Sequence, residues 1–413
     1  MHSMGLQIIS LIVCIAASYP DGGLAAVFNV TGFGAIGDGI HDDTEAFSQA
    51  WEAACSNGEG SSTVIVPAGR TFLLSPVNFE GPCYCSNVHF QVLGKIVAPN
   101  ETDAWKGCVS DSWLHFSDIP GLVLEGSGVI DGRGSPWWKN VSLGILKNAL
   151  HIHKCDGLQL RGLHHVNSPK SHISINKCNG VSISGLNILA PENSPNTDGI
   201  DVSESTHVFI SDSIIQTGDD CVAINGGSSD IQMTNVSCGP GHGISVGSLG
   251  ANGSYATVEQ VNVTKCNFQG TQNGIRIKTW PGGSGYARNI SFEDITLQDV
   301  ENPIIIDQFY CKGEFKCEDK PSPSAVQVSH VTYQGVNGSS SGERAIQLFC
   351  SESKGCTDIK MQQINITSAI PGAKTYAICK NAYGESSSTS PPVPCLTLHH
   401  DDVLGREASA VWV

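Results

Sequence analysis

Short apolar pairs separated by one residue recur along the chain as Leu158-x-Leu160, Val181-x-Ile183, Val208-x-Ile210, Ile231-x-Met233, Val261-x-Val263, Ile290-x-Phe292 and Val326-x-Val328, at spacings of 23 to 36 residues. Alternation of this kind turns one side chain into a core and the next outward, so each pair predicts a short strand. A second register of turn plus strand runs through Asp198-Gly199-Ile200, Asp220-Cys221-Val222, His242-Gly243-Ile244, Gly274-Ile275-Arg276 and Pro303-Ile304-Ile305. Its first three members stand 22 residues apart, and the next steps of 31 and 29 residues contain added loop. Strand units repeating at this period without helical patterning predict a solenoid, in which each coil stacks on the last. The expected fold is all-β, a single parallel β-helix over residues 27–400 with a tail at 401–413. Ahead of the coils, Ala46, Phe47, Ala50, Trp51 and Ala54 share one face of a short helix, and Asp42-Asp43-Thr44 offers capping oxygens before it. That helix is expected to cover the open end of the first coil, since a solenoid's terminal core must be shielded from water.

The run Leu6 to Ala17 has the length of a signal peptide and is too short for a membrane helix, and Tyr19-Pro20-Asp21 ends it. Residues 1–25 are read as a leader cleaved between 18 and 26, and the protein as secreted. Cysteine usage points the same way. Among 16 cysteines, Cys83 and Cys85, Cys221 and Cys238, Cys311 and Cys317, Cys350 and Cys356, and Cys379 and Cys395 are close in sequence, without the spacing of a zinc site. Cys155, Cys178 and Cys266 lie in strand-like stretches and are expected as buried thiols. Nine Asn-x-Ser/Thr triplets suit a glycosylated secretory product.

In a parallel stack, equivalent positions on successive coils lie about 4.8 Å apart. Asp198, Asp220 and His242 therefore share one patch, with Asp219 beside Asp220. If Ile275 and Ile277 point inward, Arg276 and Lys278 point outward on the coil after His242. Any one aspartate here would be an ordinary turn residue. Three acids, a histidine and two cations on consecutive coils are a different matter. Carboxylates so close cannot all ionise normally, and a protonated acid beside an ionised one is the equipment of glycoside hydrolysis. Calcium is the rival use for such acids, and the adjacent Arg276, Lys278 and His242 oppose a second cation. No metal or cofactor is expected.

Asn196-Thr197-Asp198, Gly218-Asp219-Asp220, Gly241-His242-Gly243 and Arg276-Ile277-Lys278, in this order, resemble the signature segments of the polygalacturonases, family 28 of the glycoside hydrolases. The longer strings from Ser194 to Gly199 and from Cys238 to Ser245 resemble the plant branch, and the resemblance runs from about Phe28 to Cys395. It implies a right-handed, pectate-lyase-like β-helix that hydrolyses α-1,4-galacturonosyl bonds of the homogalacturonan in pectin, with inversion and without metal. By position, Asp220 matches the general acid, Asp198 and Asp219 the pair that activates water, and His242 the residue that keeps the acid in its working protonation state. Arg276 and Lys278 match the pair that binds a substrate carboxylate, and Asn196 and Tyr310 count among the substrate contacts. The family carries Asn where this chain has Phe309, before the retained Tyr310.

The resemblance further implies an extracellular, cell-wall setting and a monomer, with pectin and cell-wall inhibitor proteins as partners and no nucleic acid or membrane. Gly282-Gly283-Ser284-Gly285 looks more like the endo-acting members. Three other readings stay open: a calcium-dependent lyase, a rhamnogalacturonan hydrolase and an inactive wall protein. Two features sit against the pattern. Acids about 5 Å apart would by spacing alone suit a retaining enzyme. A net charge of −16 is odd for a binder of polyanions, so the groove must be locally basic, which screening over about 8 Å permits.

Overall fold

A computed structural model describes residues 26–396 apart from residues 59, 106–111, 140–146 and 312–324. The expected leader and tail, Cys317 and the triplet at Asn140 lie outside the described residues. Eleven strands, from Val77–Glu80 to Tyr376–Lys380, stack in parallel, one per coil, into one sheet, and 22 further strands form a second sheet around the rest of the coil. The chain is a right-handed parallel β-helix. No described helix is long and apolar enough to cross a membrane.

The apolar anchors of the turn-plus-strand register are the ladder that fixes the stack. Ile200 pairs with Val222, Val222 with Ile244, Ile244 with Ile275, and Ile275 with Ile304. All five are fully buried. Each such side chain contributes about 1.5–3 kcal/mol on leaving water, so the ladder adds to the strand pairing of the larger sheet in holding the coils together. A charge placed in it, as in Val222→Asp, would be stranded without a partner.

The register of apolar pairs holds from Leu160 to Phe292 and then shifts. Phe292 pairs with Tyr333 and Ile290 with Val331, while Val328 pairs with Ala287. The segment Val326 to Tyr333 offers the alternating pattern twice, and pairing along the strand Gln327–Gln334 selects the second copy. The expected Val326-x-Val328 unit is therefore displaced by five residues.

The N-terminal helix is present as Thr44–Ser56, and the predicted face is buried: Ala46, Phe47, Ala50, Trp51 and Ala54. Of the expected capping oxygens, Asp42 Oδ1 accepts the N–H of Thr44, the first helical residue, at 2.9 Å, whereas Asp43 serves elsewhere. Asp43 makes no side-chain bond to the helix, because its carboxylate accepts the backbone N–H of Ile36 at 2.6 Å and of Gly37 at 3.1 Å. The acid ties the entry loop to the helix start instead.

Disulfides join Cys55 to Cys83, Cys350 to Cys356, and Cys379 to Cys395, and Cys311 is also bridged. Cys85 has no bond to Cys83, which reaches back to the helix. Cys221 and Cys238 are buried thiols, as are Cys155, Cys178 and Cys266.

Candidate active site

The stack turns sequence spacing into columns. Residues that follow an apolar anchor point out of the eleven-stranded sheet, and pairing puts Asp201, Ala223, Ser245 and Arg276 in one line across four coils. The turns before the anchors carry Asp198, Asp219, Asp220 and His242. Tight backbone bonds between coils hold these turns in place: Gly199 donates its N–H to Asp220 O at 2.9 Å, and His242 to Asp219 O at 2.7 Å. Gly243, at φ +83°, permits the sharp turn after His242, and a Cβ there would lie 2.1 Å from Asn273 O.

The structure brings Asp198, Asp219, Asp220, His242, Arg276 and Lys278 together. Asp220 is the buried centre. Its Oδ1 accepts from Arg276 Nη2 at 2.7 Å and from Ser245 Oγ at 2.8 Å, and its Oδ2 accepts from Lys278 Nζ at 2.7 Å. Arg276 Nε also donates to Ser245 Oγ at 3.0 Å, which fixes the plane of the guanidinium. The two cations predicted for a substrate carboxylate are thus held by a protein carboxylate.

Asp219 is half-buried and bonded to His242 Nδ1 at 2.9 Å and to the Asp220 N–H at 2.9 Å. Burial works to raise its pKa, but the His242 contact and charge, the Lys278 charge and the backbone bond outweigh it, so Asp219 stays below its ordinary value. The ring of His242, matched by position to the residue that keeps the acid in its working protonation state, bonds Asp219 beside that acid, because the turn of its coil lies over Asp219.

Asp198 takes the opposite course. Burial, then the charges of Asp201, Asp219 and Asp220, push it well above the usual carboxylate range, and Lys278 opposes only in part. Asp198 is thereby biased toward its protonated form, while His242 bonds Asp219 and the two cations Arg276 and Lys278 bond Asp220.

Behind Asp198 stands a buried histidine that the sequence did not reveal. The backbone N–H and the Nδ1–H of His172 both donate to Asp198 O, at 2.8 and 3.0 Å, and its Nε2 accepts from Ser168 N–H at 3.3 Å. Burial holds its pKa down to about 4, so this strut is neutral.

Asp201 was also missed. Burial pushes it up to about 6 despite its bond from Ser171 Oγ at 2.5 Å. Its signal was available, since it occupies the outward place after Ile200 that Arg276 occupies after Ile275.

The Oδ and Nδ1 ligand atoms of Asp219, Asp220 and His242 lie within 4.8 Å of one another, a spacing able to hold a metal ion. Such an ion would have to displace Arg276 and Lys278 from Asp220, and their positive charge opposes it.

C-terminal to the acids lies a cavity of about 720 Å³ lined by Arg276, Tyr310, Phe309, Arg344, Gln347 and Lys380, among others. Lys278 Nζ lies 5.3 Å from the centroid of Tyr310, which itself packs edge-on against Trp280. Phe309, which replaces the family's Asn, lies 5.2 Å from Lys380 Nζ. Asn196 sits half-buried on the turn before Asp198 with φ +56°, away from this cavity's lining.

Residues 55–389 match the glycosyl hydrolases family 28. A probable polygalacturonase of Arabidopsis thaliana is 51% identical over 375 residues, covering 90% of this chain and 81% of its own. A polygalacturonase of Chamaecyparis obtusa is 44% identical over 370 residues, covering 87% and 70%. Among solved structures, an endo-xylogalacturonan hydrolase from Aspergillus tubingensis superposes with a TM-score of 0.75 at 28% identity, over 88% of this chain and all of that one. A hyperthermoactive exopolygalacturonase from Thermotoga maritima gives 0.75 at 21% identity, over 90% and 91%, which shows the shared fold.

Proposed function

The chain belongs to the glycosyl hydrolases family 28, and from that premise we propose that it hydrolyses the α-1,4-galacturonosyl bonds of pectic homogalacturonan. The observation that carries this reading is the pair Arg276 and Lys278, aimed from one coil at a carboxylate between them. A neutral sugar would offer these cations hydroxyl oxygens but no opposite charge. A uronate gives them a partner equivalent to Asp220.

The competition between those two carboxylates supplies a mechanism. When the substrate carboxylate takes up Arg276 and Lys278, Asp220 loses its counter-ions, and the proton shared by the cluster moves to it from Asp198. Asp220 then donates that proton to the glycosidic oxygen as the bond to the anomeric carbon breaks. Asp198 and Asp219, now both ionised, take a proton from the water that forms the new bond from the opposite face. His242 keeps Asp219 ionised for this step. Two carboxylates gripping one water add a layer between acid and base, which accommodates inversion on closely stacked coils.

Endo action is the form of attack we propose. The outward columns continue on both sides of the acids, to the strand Val77–Glu80 in one direction and Tyr376–Lys380 in the other, which suits a chain lying across the middle of the groove. Secretion into the cell wall as a glycosylated monomer, with inhibitor proteins as partners, is proposed on the leader-like segment and the sequons. The test is incubation with de-esterified homogalacturonan. A spread of oligomers with rapid loss of viscosity is expected; galacturonate monomer alone would mean exo attack, and no new reducing ends would overturn the assignment.

A further inference from the structure

N-terminal to the acids, the same outward columns change character. One runs Asn78, His115, His151, Ser174, Asp201, and the other Glu80, Ser117, His153, Asn176, Ser203. No Lys or Arg occurs among these ten positions, whereas Arg276, Lys278 and Lys380 stand in the continuation of the same two columns beyond the acids. Among these ten positions the three histidines are the only side chains able to carry positive charge. They are half-buried and grouped, with ring centroids 5.1 Å apart for His115 and His151 and 6.1 Å for His151 and His153. His151 lies three strands from Val222 in the stack, roughly 14 Å at the parallel-strand spacing.

Their hydrogen bonds set what the rings can accept. His151 Nδ1 meets Ser174 Oγ at 3.0 Å, and His153 Nδ1 meets Asn176 Oδ1 at 2.7 Å. Asn176 Nδ2 donates to Ser203 Oγ at 3.0 Å, so its oxygen faces His153 and the imidazole must donate from Nδ1. Nε2 of that ring is then an acceptor when neutral and a donor when protonated. An anion can bond there only in the protonated state.

We propose that His115, His151 and His153 form a remote subsite for the carboxylate of a uronate unit, engaged only when the histidines are protonated. The inference rests on the hydrolase reading and adds to it how long substrates are held. The surroundings are consistent with an acid-dependent site. Burial, then the nearby His153, hold the pKa of His115 below its ordinary value, with Glu80 and Asp118 acting in the opposite direction. Lys154 pairs with Asp118 at 3.9 Å, Lys147 immediately precedes the strand of His151 and the Lys170 charge acts on Asp201, while Ser112, Ser117, Ser174, Asn78 and Asn176 are uncharged neighbours. A bound carboxylate would favour the protonated rings, so acid and uronate each strengthen the binding of the other. At neutral pH these positions of the two columns themselves carry only the acids Glu80 and Asp201, and their attraction for a uronate is lost.

The test compares initial rates of wild type, the double variant His151→Gln/His153→Gln and His151→Lys on galacturonate oligomers of increasing length, at pH 5 and pH 7. A charge-assisted bond is worth about 1.5–3 kcal/mol, so the double variant should raise KM for long oligomers at pH 5 by about tenfold or more, with little change in kcat. At pH 7 its KM should converge on that of wild type. His151→Lys should extend the low KM to pH 7. An equal KM change at both pH values, no change at either, or a fall in kcat with a lowered unfolding midpoint would overturn the proposal. A wild type that cleaves no galacturonan of any length would refute the hydrolase reading instead.

Discussion

The two arms of the groove are built from the same repeating strand and differ only in what stands at its outward positions. On the C-terminal side these include permanent cations, Arg276, Lys278 and Lys380, among apolar and polar residues and Asp307, with Arg344 beside them in the cavity. On the N-terminal side they are histidines and small polar residues. A permanent cation binds a uronate at any pH at which the uronate is ionised; an imidazole binds it only in acid. The difference teaches how a chain of net charge −16 handles a polyanion: the charge that matters is sorted into columns by the stack and is invisible in the sum.

The largest effect should come from the junction between the arms. Asp220→Asn should lower kcat by about two orders of magnitude or more, since proton donation to the leaving oxygen is lost. It should also leave Arg276 and Lys278 free for substrate, so KM should hold or fall. Steady-state kinetics on oligomers reads both, and turnover within tenfold of wild type would move the acid role to another residue.

Next is the fixed-charge arm itself. Arg276→Ala or Lys278→Ala should raise KM by about tenfold or more, because each removes a charge-assisted contact to a carboxylate. The factor should be the same at pH 5 and pH 7. A factor confined to acid pH would erase the contrast with the histidine arm.

A smaller effect is expected of His242→Ala. Reading the sequence alone suggests that this histidine governs the general acid and hence the basic limb of the pH profile. Its bond to Asp219 moves the expectation to the acid limb. Asp219 must be ionised to activate water, His242 lowers its pKa, and loss of the ring should shift the acid limb toward higher pH and reduce kcat by roughly tenfold. An unshifted acid limb would make His242 a structural turn residue.

The smallest effect concerns stability. His165 pairs with Ile130 and Ile188 in the core ladder, its ring nitrogens lack partners, and burial pushes its pKa down to about 3. The fold keeps it neutral while the unfolded chain protonates it below pH 6.5. Stability is therefore lost as pH falls from 6.5 toward 3. His165→Leu should raise the melting temperature by a few degrees, and by more at pH 5 than at pH 7.

Much of this architecture was legible because period and alternation are local signals. Ile200, Val222 and Ile244 announce a stack by a constant 22-residue step, and the acids two positions before them are placed by the same count. Where the pattern occurs twice in one strand, as at Val326 to Tyr333, counting cannot choose and long-range pairing does. The histidine arm was hidden for a related reason. His115, His151 and His153 become neighbours only once the register across their coils is known, and the 36 residues from His115 to His151 are no repeat length a reader would trust. His172 was hidden differently, since its function is to hold the Asp198 backbone and nothing in its own sequence position shows that. Conversely, Asp198, Asp219 and Asp220 could be named but their proton could not be located, because that depends on which cations reach which oxygens.

The most direct test of the central claim follows the reaction by proton NMR on de-esterified galacturonan, with the first turnovers read before the product anomers equilibrate. The account predicts new reducing galacturonate ends that appear first as the β-anomer, with no unsaturated sugar, and equally well in the presence of a chelator. Unsaturated ends, or activity that disappears with calcium, would contradict it.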